Sequence, residues 1–193
     1  SGSTEDLKDY QIRVTLDTKA LISQGKLQKN CQDIRFADAQ GRVLPYWIED
    51  RTCGTPSTHI WVKVPFIPTS GTTIYLYYGN PNAESESNGS AVFEFFDDFE
   101  KSGFDKRKWT IQNFNNLLKQ YSHALRYDST SLTSDLNDIS WVESLSLIDG
   151  PFVIDAKYNL LRFDDPGTDV NYCTIHLYFG SDRVTFGRAI YTV

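Results

Sequence analysis

The sequence predicts an all-β fold arranged as two antiparallel units in tandem, with one or two short helices. Three observations carry this expectation. Short runs rich in Val, Ile, Tyr, Trp and Thr recur along the chain, each closed by Gly, Pro, Asn or Asp. Within the runs apolar and polar residues alternate, the period of a strand with one buried face. A polar stretch over residues 82–90, rich in Ser, Glu and Asn, has the composition of a domain boundary and parts the runs into two groups.

In chain order, residues 1–8 are a polar lead-in, and residues 10–16 alternate with Tyr10, Ile12, Val14 and Leu16 on the expected buried side. Asp17 and Thr18 can cap a helix over residues 19–24 that Gly25 ends. A hairpin follows, from residues 33–37 through a turn at Asp38-Ala39-Gln40-Gly41 into residues 43–49. The stretch 44–80 holds three strand-forming runs, L-P-Y-W-I-E-D, H-I-W-V-K-V-P and T-I-Y-L-Y-Y-G-N-P. Taken as neighbours in one sheet, as sequential strands usually are, they place Leu44, Tyr46, Ile48, Ile60, Val62, Val64, Ile74, Leu76 and Tyr78 in the core. The opposite face collects Trp47, Glu49, Trp61, Lys63, Tyr75 and Tyr77, aromatic rings mixed with charges. Past the linker, residues 91–99 are dense in aromatics and acids, and strands are expected over residues 109–112, 122–127, 140–147, 152–162, 171–179 and 183–193.

Composition narrows the function classes. A chain of 193 residues with 40% hydrophobic content can bury a normal core as one large domain or two small ones. A net charge of -6 and a pI near 5.0 argue against a nucleic-acid surface, which needs clustered Lys and Arg. The tightest basic cluster, Lys106, Arg107 and Lys108, reads as a solvated turn. No apolar run approaches the roughly 20 residues of a membrane span. Ser1-Gly2-Ser3 reads as a trimmed or added terminus, so the lack of a signal peptide says little about compartment.

Of the cysteines Cys31, Cys53 and Cys173, the last reads as a small buried hydrophobe in a strand. Folding the hairpin about Gln40 brings Cys31 near residue 49 and so near Cys53. The pair is either a disulfide, which would point to an oxidising compartment, or two free thiols of a cytosolic protein. No Cys-x-x-Cys or paired-His spacing suggests a structural metal.

Here the motifs carry a resemblance. C-x-D-I-R-F at residues 31–36, L-P-Y-W-I-E at 44–49, I-W-V-K-V-P at 60–65 and I-Y-L-Y-Y-G-N-P at 74–81 resemble the domain of unknown function 2341 family of secreted and surface archaeal and bacterial proteins. The resemblance implies a small β-sandwich, and Cys31 and Cys53 fall where members often carry a cysteine pair, which favours the disulfide. F-F-D-D-F at residues 95–99, F-D-K-R-K-W at 104–109 and G-P-F-V-I-D-A-K at 150–157 are similar to the opening of a concanavalin-like (laminin-G-like) jelly roll. Together the resemblances imply two antiparallel β-sandwich, jelly-roll-like units, over residues 1–90 and 91–193. The second is short for its type, which leaves an abbreviated domain, a piece of a longer protein, or a sandwich completed by a strand from another molecule.

No catalytic residue is expected. Polysaccharide hydrolases of concanavalin-like fold need facing carboxylates, and the E-x-D-x-x-E arrangement is missing, while Glu143 and Asp155 stand alone on their segments. His59, His123 and His176 lack a nucleophile-elbow context and read as ordinary strand or surface histidines. No cofactor is expected beyond calcium, for which Asp164, Asp165 and Asp169 supply oxygen donors in one turn, joined by Asp97 and Asp98. Asp135, Asn137 and Asp138 form a second acidic loop, and ordinary loop composition explains both. Asn88-Gly89-Ser90 is formally a glycosylation sequon.

The aromatic face is the strongest functional clue. Trp47, Trp61, Tyr75 and Tyr77 can stack on sugar C–H faces while Glu49 and Lys63 bond to hydroxyls; alternatively the following domain covers these rings. The expectation is a non-catalytic extracellular or cell-surface binding or adhesion module, with glycans or surface proteins as partners, and no nucleic acid or membrane span. The alternatives are a surface-layer or filament subunit that self-associates through exposed strand edges, and the accessory N-terminal part of a larger secreted enzyme or membrane-anchored protein.

Overall fold

A computed structural model describes residues 4–101, 103–112, 118–120, 125–127, 141–144, 171–179 and 182–190. They fall in two compact units, Ser1–Glu100 and Lys101–Val193. Among the described residues, antiparallel strands dominate and the two helices are short, so the all-β class holds.

The first unit runs β1 (Leu7–Leu16), α1 (Thr18–Ser23), β2 (Arg35–Asp38), β3 (Val43–Leu44), β4 (Tyr46–Ile48), β5 (Thr58–Ile67), β6 (Ile74–Tyr77) and α2 (Gly89–Val92). Two three-stranded sheets, in the orders β1-β5-β4 and β3-β2-β6, share one core. Alternation along the strands builds it. Tyr46, Ile60, Val62 and Val64 come from the first sheet and Phe36 and Leu44 from the second, with Leu27, Cys31 and Ile34 from the segment between α1 and β2. Ile12, Val14, Leu16, Ile48, Ile74 and Leu76 pack against this cluster from its margin.

Four sequence expectations change. The runs at 44–80 are not neighbours in one sheet: β4 pairs with β5, but β6 pairs with β2 in the other sheet. Pro45 divides the expected strand at 43–49, because it has no N–H to donate and ends one ladder before the next begins. Val43 and Leu44 thus pair with β2, whereas Tyr46, Trp47 and Ile48 pair with β5. Tyr78, expected inside, lies past the end of β6 and is exposed. Tyr10 is exposed as well; the β1–β5 ladder steps over Asp9, at φ 48, and Pro65, so Tyr10 sits at the end of the core rather than over it.

Other features follow the sequence closely. The Asp17 side chain caps α1 by accepting from Ala20 N at 2.9 Å, and Gly25 at φ 67 ends that segment with its N–H on Ile22 O at 2.9 Å. Cys31 and Cys53 form a disulfide with Cα atoms 6.2 Å apart.

In the second unit, β7 (Trp109–Gln112), β8 (Leu118–Gln120), β9 (Leu125–Tyr127), β10 (Trp141–Ser144), β11 (Asn171–Phe179) and β12 (Asp182–Ile190) are described. They make three antiparallel pairs, β7 with β10, β8 with β9 and β11 with β12. The expected strand at 152–162 lies outside the described residues.

Candidate functional site

On the outer face of the β1-β5-β4 sheet, Trp47 of β4 stands directly opposite Trp61 of β5. Odd-numbered residues of β5 point outward because Thr58, Ile60, Val62 and Val64 point into the core. The chain after the linker returns over this face. Asn88 caps α2 by accepting from Ala91 N at 3.3 Å, its own N–H reaches Tyr46 O at 2.8 Å, and Ser87 Oγ accepts from Ile48 N at 2.9 Å. Gln11 of β1 holds the far end of α2 through Val92 O at 3.0 Å. Phe93 then meets Trp61 edge-on at 5.6 Å between ring centroids, and Phe96 meets Trp47 edge-on at 4.8 Å. The two phenylalanines stack with centroids 5.9 Å apart, and Arg13 lies 5.9 Å from the Trp61 ring.

Beside this cluster a buried carboxylate organises a polar row. Glu49 is only 4% exposed. Its Oε1 accepts from Trp61 Nε1 at 3.0 Å, and its Oε2 lies 3.3 Å from His59 Nδ1. The other ring nitrogen, Nε2, lies 3.3 Å from Ser57 Oγ at the surface. Ser57 and His59 share the outward face because the intervening Thr58 is fully buried. The loop carrying them is tightly held. Thr18 Oγ1 lies 2.6 Å from Thr58 Oγ1 and accepts from Gly54 N at 2.8 Å, Thr52 Oγ1 donates to Glu49 O at 2.7 Å, and Cys53 is bridged to Cys31.

Over residues 30–112 the chain matches DUF2341, a domain of unknown function. The resemblance carried by the N-terminal motifs is thereby shown over those residues. No curated protein and no solved structure matches significantly. The DUF2341 segment takes in the Trp47–Trp61 face, the polar row and the covering residues Phe93 and Phe96.

The six expected ligand-binding residues divide between two faces of this segment. Trp47, Glu49, Trp61 and Lys63 belong to the β1-β5-β4 sheet, and Lys63 Nζ lies 4.0 Å from Asp9 Oδ1. Tyr75 and Tyr77 belong to β6 in the other sheet and are 48% and 55% exposed. Ala37 lies between Tyr75 on one side and Val43, 65% exposed, on the other. At the margin of that sheet Arg35 donates to Tyr46 Oη at 3.3 Å and to Glu84 O at 2.7 Å, and pairs with Glu86 at 3.1 Å. Burial pushes the Tyr46 phenol above its ordinary value, against the lowering influence of Arg35.

Of the calcium candidates, Asp97 accepts from Phe99 N at 2.9 Å and Asp98 from Glu100 N at 3.3 Å. Asp164, Asp165 and Asp169 lie outside the described residues, as do Asp135, Asn137 and Asp138. Among the described residues no three His, Cys, Asp or Glu side chains gather as metal ligands, and no helix is long and apolar enough to cross a membrane. His176 pairs in register with Thr185 in β11–β12, and His123 lies outside the described residues. The Ser57–His59–Glu49 row is the feature that sequence reasoning missed. Its local signal was the Ser-x-His spacing on an alternating strand, but the carboxylate that completes it comes from a separate run.

Proposed function

We propose that the unit containing the DUF2341 segment is an extracellular binding module whose ligand face is the outer side of the β3-β2-β6 sheet, with a cell-surface glycan as ligand. The observation that supports this is the exposed pair Tyr75 and Tyr77 on one edge strand, with exposed Val43 across Ala37 on the opposite edge strand. Aromatic rings in that state are suited to stacking on sugar rings. The Trp47–Trp61 face suits the role less well, since Phe93 and Phe96 already pack on it. The Cys31–Cys53 disulfide supports an oxidising compartment. A concanavalin-like second unit belongs to the same proposal. Polysaccharide pull-down and glycan-array binding test it. Tyr75→Ala/Tyr77→Ala is expected to lose binding by about tenfold or more, equivalent to roughly 1.4 kcal/mol, with the fold intact. Equal binding by the double variant and the parent protein would refute the assignment of this face.

A second possibility rests on β1. This ten-residue strand pairs with β5 on one side, and among the described residues no strand pairs with its other side. Such an edge can accept a strand from a neighbouring molecule in a surface layer or filament. Light scattering at increasing concentration tests it, and a strictly monomeric folded species would eliminate it.

A further inference from the structure

We infer that Ser57, His59 and Glu49 form a nucleophilic relay able to cleave a short-chain carboxylic ester at the Ser57 hydroxyl. The inference goes beyond the binding role and stands on the other sheet, so either can fail alone.

The order of groups carries it. An ionised Glu49 only accepts hydrogen bonds, so the nitrogen facing it, His59 Nδ1 at 3.3 Å, is the one that donates. Nε2 then keeps its lone pair toward Ser57 Oγ, also at 3.3 Å, and can take the hydroxyl proton. This is the sequence of roles in a serine–histidine–acid device, which is identified by geometry and not by fold or chain order. The acid is buried, the base half-buried and the hydroxyl exposed, so the reacting atom is the accessible one. Glu49 is buried with both carboxylate oxygens engaged, by Trp61 Nε1 and His59 Nδ1, which fixes the orientation the row needs. Two further features pre-organise the row. Glu49 and Ser57 bracket a loop that the Cys31–Cys53 bridge and the Thr18–Thr58 hydroxyl pair hold in place, and Arg51 within it has φ 61, a left-handed conformation unusual for a side-chain-bearing residue.

The chemistry balances with water as the second reactant. Ser57 Oγ attacks the ester carbonyl while its proton passes to His59 Nε2, and Glu49 holds the resulting imidazolium. The alcohol leaves with that proton and the acyl group stays on Ser57. Water then attacks the acyl carbon, giving one proton to Nε2; the carboxylic acid departs and the proton returns to Ser57. An exposed hydroxyl suits a short acyl group, because long chains need an enclosed apolar groove.

The test uses the whole folded chain with a fluorophosphonate probe and p-nitrophenyl acetate, read by intact mass and peptide mapping. Expected are one equivalent of label on Ser57, loss of that label in Ser57→Ala, and labelling about 100-fold slower in His59→Asn, the size of a general-base contribution. Glu49→Gln is expected to change the pH profile of labelling, which a merely structural role would not do. Because that variant can also weaken packing, Ser57→Ala and His59→Asn at accessible positions carry the decision. Labelling no faster than that of the denatured chain, or equal labelling of Ser57→Ala, overturns the inference.

Discussion

Asp38 closes the β2–β3 turn with three hydrogen bonds. Its Oδ1 accepts from Gln40 N and Arg42 N, both at 2.9 Å, and its Oδ2 from Arg42 Nε at 2.6 Å. Burial alone would raise this carboxyl, but the bonds from Arg42 and Gln40 outweigh it and hold the group below its ordinary value. A carboxylate with a depressed folded-state value stabilises fully above the ordinary carboxylate range, and that contribution is lost as pH falls through the folded value. Asp38→Asn should therefore flatten the acid limb of stability while differing less from the parent at low pH than at neutral pH. Urea midpoints at pH 7 and at about pH 3 measure this, and parallel pH dependence in both proteins would contradict it. The turn itself was legible, since Asp38 and Gly41 occupy the first and fourth positions, where turn chemistry favours Asp and Gly. Glu49 was not. Its place in the alternation assigned it correctly to the outward face, but nothing local announces that Trp61 and His59 will bury and bond it.

At the scale of elements, the alternation in β1, β4, β5 and β6 gave most of the core, because a period of two needs no knowledge of partners. The partners themselves were not legible. One proline sends Tyr46 and its successors to a different sheet from Leu44, and this separates Tyr75 and Tyr77 from the tryptophans. The sequence offered covering by the segment after the linker as one of two readings of the tryptophan face, and Phe93 and Phe96 do cover it; what it did not show is that the covering depends on a contact between a glycine and a ring. Gly89 is buried, and a Cβ at that position would fall into the ring of Phe96. Gly89→Ala must displace Phe96 from Trp47 or bend α2 away. The expected cost is about 1–3 kcal/mol, the usual range for overpacking, accompanied by a change in tryptophan fluorescence. A denaturation midpoint and emission spectrum matching the parent would show that the covering segment tolerates the methyl group.

At the scale of the whole molecule, the disulfide joins the segment before β2, which feeds the second sheet, to the loop before β5, which belongs to the first. It therefore ties the two halves of one core across a sequence separation of 22 residues. In the chain-entropy account a closed loop of that size stabilises by roughly 3 kcal/mol, a large share of the margin by which a small domain stays folded. Cys31→Ala/Cys53→Ala should lower the urea midpoint accordingly, and reductant should lower the parent protein's midpoint but leave the variant's unchanged. The bridge also fixes the loop that carries Ser57, so reduction should slow fluorophosphonate labelling under conditions where circular dichroism still reports a folded chain. The two effects separate stability from pre-organisation. If labelling falls only in step with the folded fraction, the disulfide holds the core alone; if it falls well before unfolding, the same covalent bond also sets the geometry of the hydroxyl and its base.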